Sequence, residues 1–341
     1  MTTTQTTATD LDDMTARLAG VVAPLTTDAG PLERIERLEG GMFAVTYRLH
    51  FADGSRAVAK MAPTAADRLM RYEHGILGTE ELVYRLASGR PELLMPTVLV
   101  SDFSREHIDT DVLVVTHLDG VPWQSLSEQT PEQLATVQAG LGTVMAALHT
   151  VTGTRFGYPA APALQGDTWP EAFAAMVGAL LDDAVTWGSD LPVARIADAV
   201  ARHHGALALV TTPHLVHTDL WAGNVFLDPD TLAITGIIDT ERAFWGDPIF
   251  EFAGADQMGT GPVPTALADA YRLAGGTLDL TEPPLGGALS PSDARLLLYR
   301  VYMYTVLIVE PGPRAYEGEW LVGHLAQLSD MLTAALDLLH G

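Results

Sequence analysis

Residues 214–242 read His-Leu-Val-His-Thr-Asp-Leu-Trp-Ala-Gly-Asn-Val-Phe-Leu-Asp-Pro-Asp-Thr-Leu-Ala-Ile-Thr-Gly-Ile-Ile-Asp-Thr-Glu-Arg. Two short apolar runs, Val225 to Leu227 and Ile234 to Ile238, flank the turn signal Asp228-Pro229-Asp230 and predict two strands. Asn224 stands just before the first strand and Asp239 just after the second. Asp219 lies five residues upstream of Asn224. That spacing supplies one carboxylate to handle a hydroxyl proton, and one amide and one carboxylate to hold Mg²⁺ under a triphosphate. The competing reading is a turn in which Asp and Asn only satisfy backbone donors. The flanking strands and His217 argue against it.

Composition narrows the classes. A chain of 341 residues, 48% hydrophobic and 18% charged, is globular and long enough for two lobes. It has no cysteine, which removes disulfides, thiolate metal sites and cysteine nucleophiles. The formal charge of −24 repels phosphate backbones, so a nucleic-acid partner is not expected, and it would attract cationic small molecules. No apolar run is long enough to span a bilayer, and the Thr-rich start lacks the pattern of an export signal, so a cytoplasmic location and no membrane partner are expected.

The chain contains one lysine, Lys60, against eighteen arginines. Arg replaces Lys easily on surfaces, but not at a site that needs a compact ammonium. Lys60 lies on a predicted strand from Arg56 to Met61, sharing one face with Arg56 and Val58. An ammonium there can reach the α- and β-phosphates of a nucleotide and pair with a glutamate of the following helix. Glu80 is the candidate, with Glu81 and Glu73 behind it. Gly40-Gly41, between two predicted strands, can let backbone N–H groups approach phosphates or can simply make a hairpin turn. No Walker-type Gly-x4-Gly-Lys-Ser/Thr occurs.

The pattern along the chain is strand-rich, then helical. Arg34 to Glu39, Ala44 to Phe51, Arg56 to Met61, Thr97 to Ser101 and Asp111 to Leu118 read as strands, and Glu73 to Ala87 as a helix. Further helices are expected over 134–148, 169–187, 191–209, 249–258, 264–273, 292–309 and 321–339. The expected division is a tail and short helix over 1–30, a small lobe over 31–118 and a helical lobe over 119–341, with the linker near Thr116 to Pro122. Four histidines, His203, His204, His214 and His217, lack metal-ligand spacing, and His217 reads as a residue that orients its loop. Trp169, Trp187, Tyr302 and Tyr304 read as core.

Taken together, Gly40-Gly41, Lys60, the helical glutamate, His217-x-Asp219-x4-Asn224 and Asp239 resemble the aminoglycoside phosphotransferase superfamily, which also holds choline and fructosamine kinases. His-x-Asp-Leu-x-x-x-Asn matches the kinase catalytic loop, with Thr218 where Arg is usual. Asp-Leu-Trp-x-Gly-Asn at 219–224 looks most like the fructosamine-kinase form. The resemblance covers roughly residues 35 to 320 and implies an α+β, two-lobed, protein-kinase-like fold: a small antiparallel sheet with one long helix, then a larger helical lobe. It implies ATP (or GTP) and Mg²⁺ as cofactors, with Asp219 catalytic and Asn224 and Asp239 on the metal. Lys60, Glu80, Gly40 and Gly41 would serve the phosphates, and the Thr116 carbonyl and Leu118 N–H the base. Gly246-Asp247-Pro248 matches a further family motif, which makes Asp247 a brace for the catalytic loop. Asp239 is followed by Thr240-Glu241 rather than Phe-Gly.

The expected activity is therefore phosphorylation of a hydroxyl on a small molecule. An antibiotic, either an aminoglycoside or a nucleoside- or sugar-containing compound, is the leading acceptor. It fits the resistance enzymes of the superfamily, the acidic surface and the arginine bias of a GC-rich genome. The alternatives are a metabolic kinase for a sugar, amino alcohol or glycated amine, and a nucleotide-binding pseudokinase. The four residues Lys60, Asp219, Asn224 and Asp239 are all kept, which weighs against the last. Asp182, Asp183, Glu310, Glu317 and Glu319 are candidate contacts for a cationic acceptor, against the plainer reading of each as a solvated surface charge.

Overall fold

A computed structural model describes residues 8–38, 44–63, 65–280 and 289–341. Helices α1 (Ala8–Val21) and α2 (Thr26–Ala29) lead into a sheet of five antiparallel strands. These are β1 (Leu32–Leu38), β2 (Val45–Phe51), β3 (Arg56–Met61), β4 (Val98–Asp102) and β5 (Val112–Thr116), in the order β1-β2-β3-β5-β4. The β2–β3 hairpin turns at Asp53-Gly54, where Gly54 takes φ +85° and the Asp53 carboxylate accepts from Ser55 N–H at 2.8 Å.

Alternation along the strands gives the sheet two buried faces. Ile35, Tyr47, Leu49, Ala57, Ala59, Val112 and Val114 pack with Leu18, Val21 and Val22 of the α1 region. Val58, Leu113 and Val115 face the other way, onto Leu77 and Tyr84 of α3 (Ile76–Ala87). Lys60 pairs with Leu113 across β3 and β5, so it shares the α3 face.

The helical lobe holds α4 (Pro131–Leu148), α5 (Trp169–Trp187), α6 (Val193–Arg202), α7 (His204–Leu207), α8 (Ile249–Gly254), α9 (Thr265–Leu273), α10 (Pro291–Val309), α11 (Pro311–Arg314) and α12 (Glu319–His340). Sequence signals set several ends. Thr130 with Gln133, and Thr168 with Glu171, form capping boxes ahead of α4 and α5, and Gly188 at φ +70° stops α5. Leu191 to Leu209, expected as one helix, divides at His203 into α6 and α7. The expected Glu73–Ala87 helix begins only at Ile76, after a left-handed Gly75.

Two small sheets lie beside these helices. One orders β11 (Ile234–Ile237), β10 (Val225–Leu227) and β6 (Val121–Pro122); the other orders β8 (Gln165–Gly166), β7 (Phe156–Gly157), β12 (Phe244–Gly246) and β9 (His214–Val216). Beneath them Trp169, Phe173, Phe244, Phe250 and Tyr299 form a continuous aromatic core, with ring centroids 4.7–6.4 Å apart.

The segment between β3 and α3 crosses to the helical lobe. Met70 and Tyr72 are buried in that lobe's core, and Tyr72 stacks on Tyr158 at 5.3 Å. Arg68 donates to the Gly312 and Pro313 carbonyls at 3.1 and 2.7 Å, Arg71 pairs with Asp183, and Glu73 pairs with Arg314 at 2.7 Å. The same Glu73 caps Met70 N–H at 2.8 Å. The lobes are thus joined by this strap as well as by the chain after β5. Met70→Ala should cost about 2–5 kcal/mol of stability, because a fully buried side chain would leave a cavity in the core that anchors the strap. Urea denaturation measures the loss, and a change under 1 kcal/mol would show that the strap is only loosely seated.

Candidate active site

Three strand ends converge under the sheet. Asp219 follows β9, Asn224 precedes β10 and Asp239 follows β11, while β3 brings Lys60 from the other lobe. The β10–β11 turn is built by Asp228, whose Oδ1 accepts from the N–H groups of Asp230 and Thr231 and from the Thr231 hydroxyl at 2.8–3.0 Å. Ile238 N–H donates to the Asn224 carbonyl at 3.0 Å, which locks the two ends of the hairpin together.

Lys60 Nζ is ringed by carboxylates: Glu80 at 2.8 Å, Glu241 at 2.7 Å and Asp239 in direct contact. Of the three glutamates expected as partners, Glu80 is the one the fold delivers. Glu81 turns to Arg85 and Ser101, and Glu73 to the strap. Tyr84, one turn beyond Glu80, donates to Glu80 Oε1 at 2.7 Å and accepts Asp239 N–H at 3.0 Å. Helix α3 therefore touches the Asp239 backbone directly, and Asp239 sits there with a left-handed φ of +68°.

Burial penalises the ammonium of Lys60, but Asp239, Glu241 and Glu80 outweigh that and hold its pKa well above the ordinary lysine value. Burial also opposes the charge of Asp239, yet Lys60 beside it keeps that carboxyl below its usual range. Glu241 is the loser of the group: burial and then the Asp239 charge push it up to about 8. Asp219 is raised by burial first, with Arg242 acting against the rise.

Asp219 Oδ2 accepts from Asn224 Nδ2 at 3.0 Å and Oδ1 from Gln257 Nε2 at 2.6 Å. Because the amide nitrogen of Asn224 points at Asp219, its oxygen is turned away from that carboxylate. That oxygen and the Asp239 carboxylate are hard donors of the kind Mg²⁺ takes, and the carboxylates of Glu80, Asp239 and Glu241 lie within 4.8 Å of one another, so the donor chemistry fits such an ion. Thr116 ends β5 and Leu118 follows it, its side chain covering Gly236 of β11 so closely that a Cβ there would lie 2.5 Å from Leu118 Cδ1. Gly40 and Gly41 lie outside the described residues.

His217 has a readable tautomer. Nδ1 accepts Asp219 N–H at 3.3 Å, so Nε2 carries the proton and donates to the Ile238 carbonyl at 2.9 Å. The ring thereby ties Asp219 to the residue before Asp239.

The loop brace needs correcting. Asp247 does not reach the loop: it caps Ile249 N–H at 3.1 Å, pairs with Arg295 at 2.8 Å and accepts the Tyr299 hydroxyl at 2.7 Å. The brace is Glu251, one turn further along α8 and fully buried. It accepts His217 N–H at 2.7 Å and Thr218 N–H at 2.8 Å. Sequence reading missed both Glu251 and Gln257. The only signal was that α8 begins right after the Gly-Asp-Pro motif. Two candidate acceptor contacts are also already committed, Asp183 to Arg71 and Glu310 to Arg242 and Arg314.

In nucleotide- and metal-free protein, Glu241→Gln should be stabilising at alkaline pH. A carboxyl near 8 in the folded state and 4.5 when unfolded costs nothing below pH 4.5, an increasing amount from there to pH 8, and a constant amount above. Denaturation at pH 4, 6 and 9 in EDTA tests this, and an advantage that is constant with pH would refute it. Gly254→Ala should displace the loop, since a Cβ there would lie 2.3 Å from the Thr218 carbonyl oxygen. We expect a folded protein with turnover down by about 100-fold, as for a misplacement near 1 Å.

The family model described as the phosphotransferase enzyme family matches residues 34–285. Among solved structures, a protein of Ralstonia eutropha JMP134, provisionally described as an aminoglycoside phosphotransferase, is 15% identical. It aligns over 96% of this chain and 98% of its own, with TM-score 0.65. A protein of Thermobifida fusca YX-ER1, provisionally described as a fructosamine-3-kinase, is 21% identical over 94% and 99%, with TM-score 0.62. A thermostable mutant of aminoglycoside phosphotransferase APH(4)-Ia, solved as a ternary complex with AMP-PNP and hygromycin B, is 20% identical over 94% and 98%, with TM-score 0.60. These likenesses agree with the two-lobed kinase-like α+β fold described above. With three quarters of its length matched by the family model, the chain belongs to the phosphotransferase enzyme family.

Proposed function

We propose that this phosphotransferase moves the γ-phosphoryl group of ATP to a hydroxyl of a small molecule, with an antibiotic as the leading acceptor. The observation that carries the reading is the meeting of Lys60 and Glu80 from the small lobe with Asp239 from the large one, beside a buried Asp219. Phosphoryl transfer asks the protein mainly for positioning and for charge opposite the phosphates. Lys60 Nζ supplies one positive charge and Glu80 aims it. Asn224 and Asp239, with Glu241 adjacent, would hold Mg²⁺, which supplies further charge neutralisation at the phosphates when bound. Asp219 faces the acceptor: its carboxylate accepts the hydroxyl proton as the hydroxyl oxygen bonds to phosphorus and the bond to the departing ADP oxygen breaks. Thr116 and Leu118, at the junction of the lobes, would hold the base.

The antibiotic assignment draws support from the likeness to APH(4)-Ia, whose complex contains hygromycin B, and from a net charge of −24 that favours a cationic acceptor. A metabolic kinase for a glycated amine is the second reading, favoured by Asp219-Leu220-Trp221-x-Gly223-Asn224 and by the likeness to the Thermobifida protein. Expression in a sensitive bacterium, with resistance profiled across antibiotic classes and products weighed by mass spectrometry, separates the two. Resistance accompanied by a phosphorylated drug supports the first, and unchanged sensitivity to every class shifts the assignment to the second. Asp219→Ala should lower transfer by about 10²–10⁴-fold while ADP binding, measured by calorimetry, persists. Wild-type turnover in that variant would remove Asp219 from the mechanism.

A further inference from the structure

We propose that Gln257 is a positioning residue for Asp219, and that helix α10 holds it in place through two carbonyls of the loop that follows α8. The proposal rests on the reading of Asp219 as the group that meets the acceptor hydroxyl.

Gln257 is distant in sequence from the catalytic loop, 38 residues beyond Asp219, yet its Nε2 lies 2.6 Å from Asp219 Oδ1. Its loop has little regular structure to fix it. Ala255 N–H closes on the Glu251 carbonyl at 2.8 Å and Gly259 N–H on the Asp256 carbonyl at 2.9 Å. Met258 and Val263 of the loop pack against the core, and α10 adds two side-chain anchors. The Tyr304 hydroxyl donates to the Gly259 carbonyl, and Arg300 donates to the Gly261 carbonyl at 2.6 Å. Arg300 is buried and makes no ion pair among the described residues, with Asp256 as the acid acting on it. A buried guanidinium spent on a loop carbonyl is expensive to keep. Here it anchors the loop four residues from Gln257.

The arrangement at Asp219 is what a positioned acceptor-facing carboxylate needs. The terminal torsion of an aspartate is broad, so an unrestrained carboxylate plane would rotate. Asn224 takes one acceptor site on Oδ2 and Gln257 takes one on Oδ1, which pins the plane from both sides. Each carboxylate oxygen offers about two lone-pair sites, so one remains on each for a hydroxyl. Both donors are neutral amides. They orient the carboxylate without pairing it with a full positive charge.

The test compares the wild type with Gln257→Ala, Gln257→Glu and Tyr304→Phe, reading ADP release from MgATP with water as the acceptor. Gln257→Ala should lower kcat about 10- to 100-fold with KM for ATP unchanged. Gln257→Glu keeps length and packing but removes the donor, so it should be at least as slow as the alanine variant. Tyr304→Phe, missing one loop anchor, should fall between. Glutamate restoring wild-type turnover would reduce Gln257 to a packing role and overturn the proposal, as would an alanine variant with unchanged kcat. A second measurement needs no turnover. In nucleotide-free ¹⁵N-labelled protein the Gln257 side-chain amide should resonate away from exposed glutamines and move to their position in Asp219→Ala. An exposed-type resonance already in the wild type would also overturn it. A wild type that releases no ADP from MgATP would instead count against the phosphotransfer reading, and the amide result would still decide the position of Gln257.

Discussion

One ammonium facing three carboxylates sets the terms for the rest of this molecule. Lys60 comes from the sheet, Glu80 from α3, and Asp239 and Glu241 from the turn after β11, so a single cation ties together the three elements that must meet at the cleft. The cluster is over-supplied with negative charge. One positive charge cannot neutralise three carboxylates: burial and the Asp239 charge push Glu241 up to about 8, while Lys60 keeps Asp239 below its usual range. A site with excess buried carboxylate is poised to take up positive charge. A Mg²⁺-bound nucleotide would bring that charge, together with phosphates for Lys60.

Much of this was legible in the chain. The strand boundaries at Arg56–Met61 and Val225–Leu227 and the helix Trp169–Trp187 follow directly from alternation, turn residues and capping boxes, all of which are local signals. The partner of Lys60 could be narrowed to a few glutamates by helix position, but the choice of Glu80 over Glu81 depends on which face of α3 packs on Leu113 and Val115. Glu251 was not legible. Its role depends on two backbone N–H groups over thirty residues away, which appear only once β9 and β12 pair and lay the loop over α8. Gln257 was hidden for the same reason. Side-chain bonds across long separations, to backbone for Glu251 and to another side chain for Gln257, leave no periodic trace.

The large lobe holds the loop that carries Asp219 at several points. Glu251 takes two N–H groups, the His217 ring bridges Asp219 to Ile238, the Thr218 hydroxyl donates to the Arg242 carbonyl at 3.1 Å, and Gly254 admits the loop at a distance no side chain would allow. Thr218 itself takes φ +68°, an unfavourable value for a β-branched residue. Such a conformation persists only when its surroundings over-determine it. The contacts around Thr218 do so, and Asp247 contributes at one remove by fixing the start of α8 and bonding to Tyr299 and Arg295 of α10. The motif that looks like a brace is thus the footing of the brace.

The strap between β3 and α3 changes how acceptor recognition should be understood. Asp183 and Glu310 seemed available to meet a cationic acceptor, but Arg71 holds the first, and Arg242 and Arg314 hold the second. The Arg242 and Arg314 pairs are buried, while Arg71 stays half exposed over a buried Asp183, and together they link the strap, the residues just after Asp239 and the α10–α11 junction into one network. Removing a partner would strand a buried charge, so these acids are committed to structure. The acids left over, Asp182, Glu317 and Glu319, are exposed to solvent, where individual ion pairs are weak. For a cationic acceptor, attraction would then come chiefly from the summed field of a chain with net charge −24, which raises encounter rate and fades with salt. With Asp219 in its proposed role, discrimination among acceptors would rest on shape and hydrogen bonding around it.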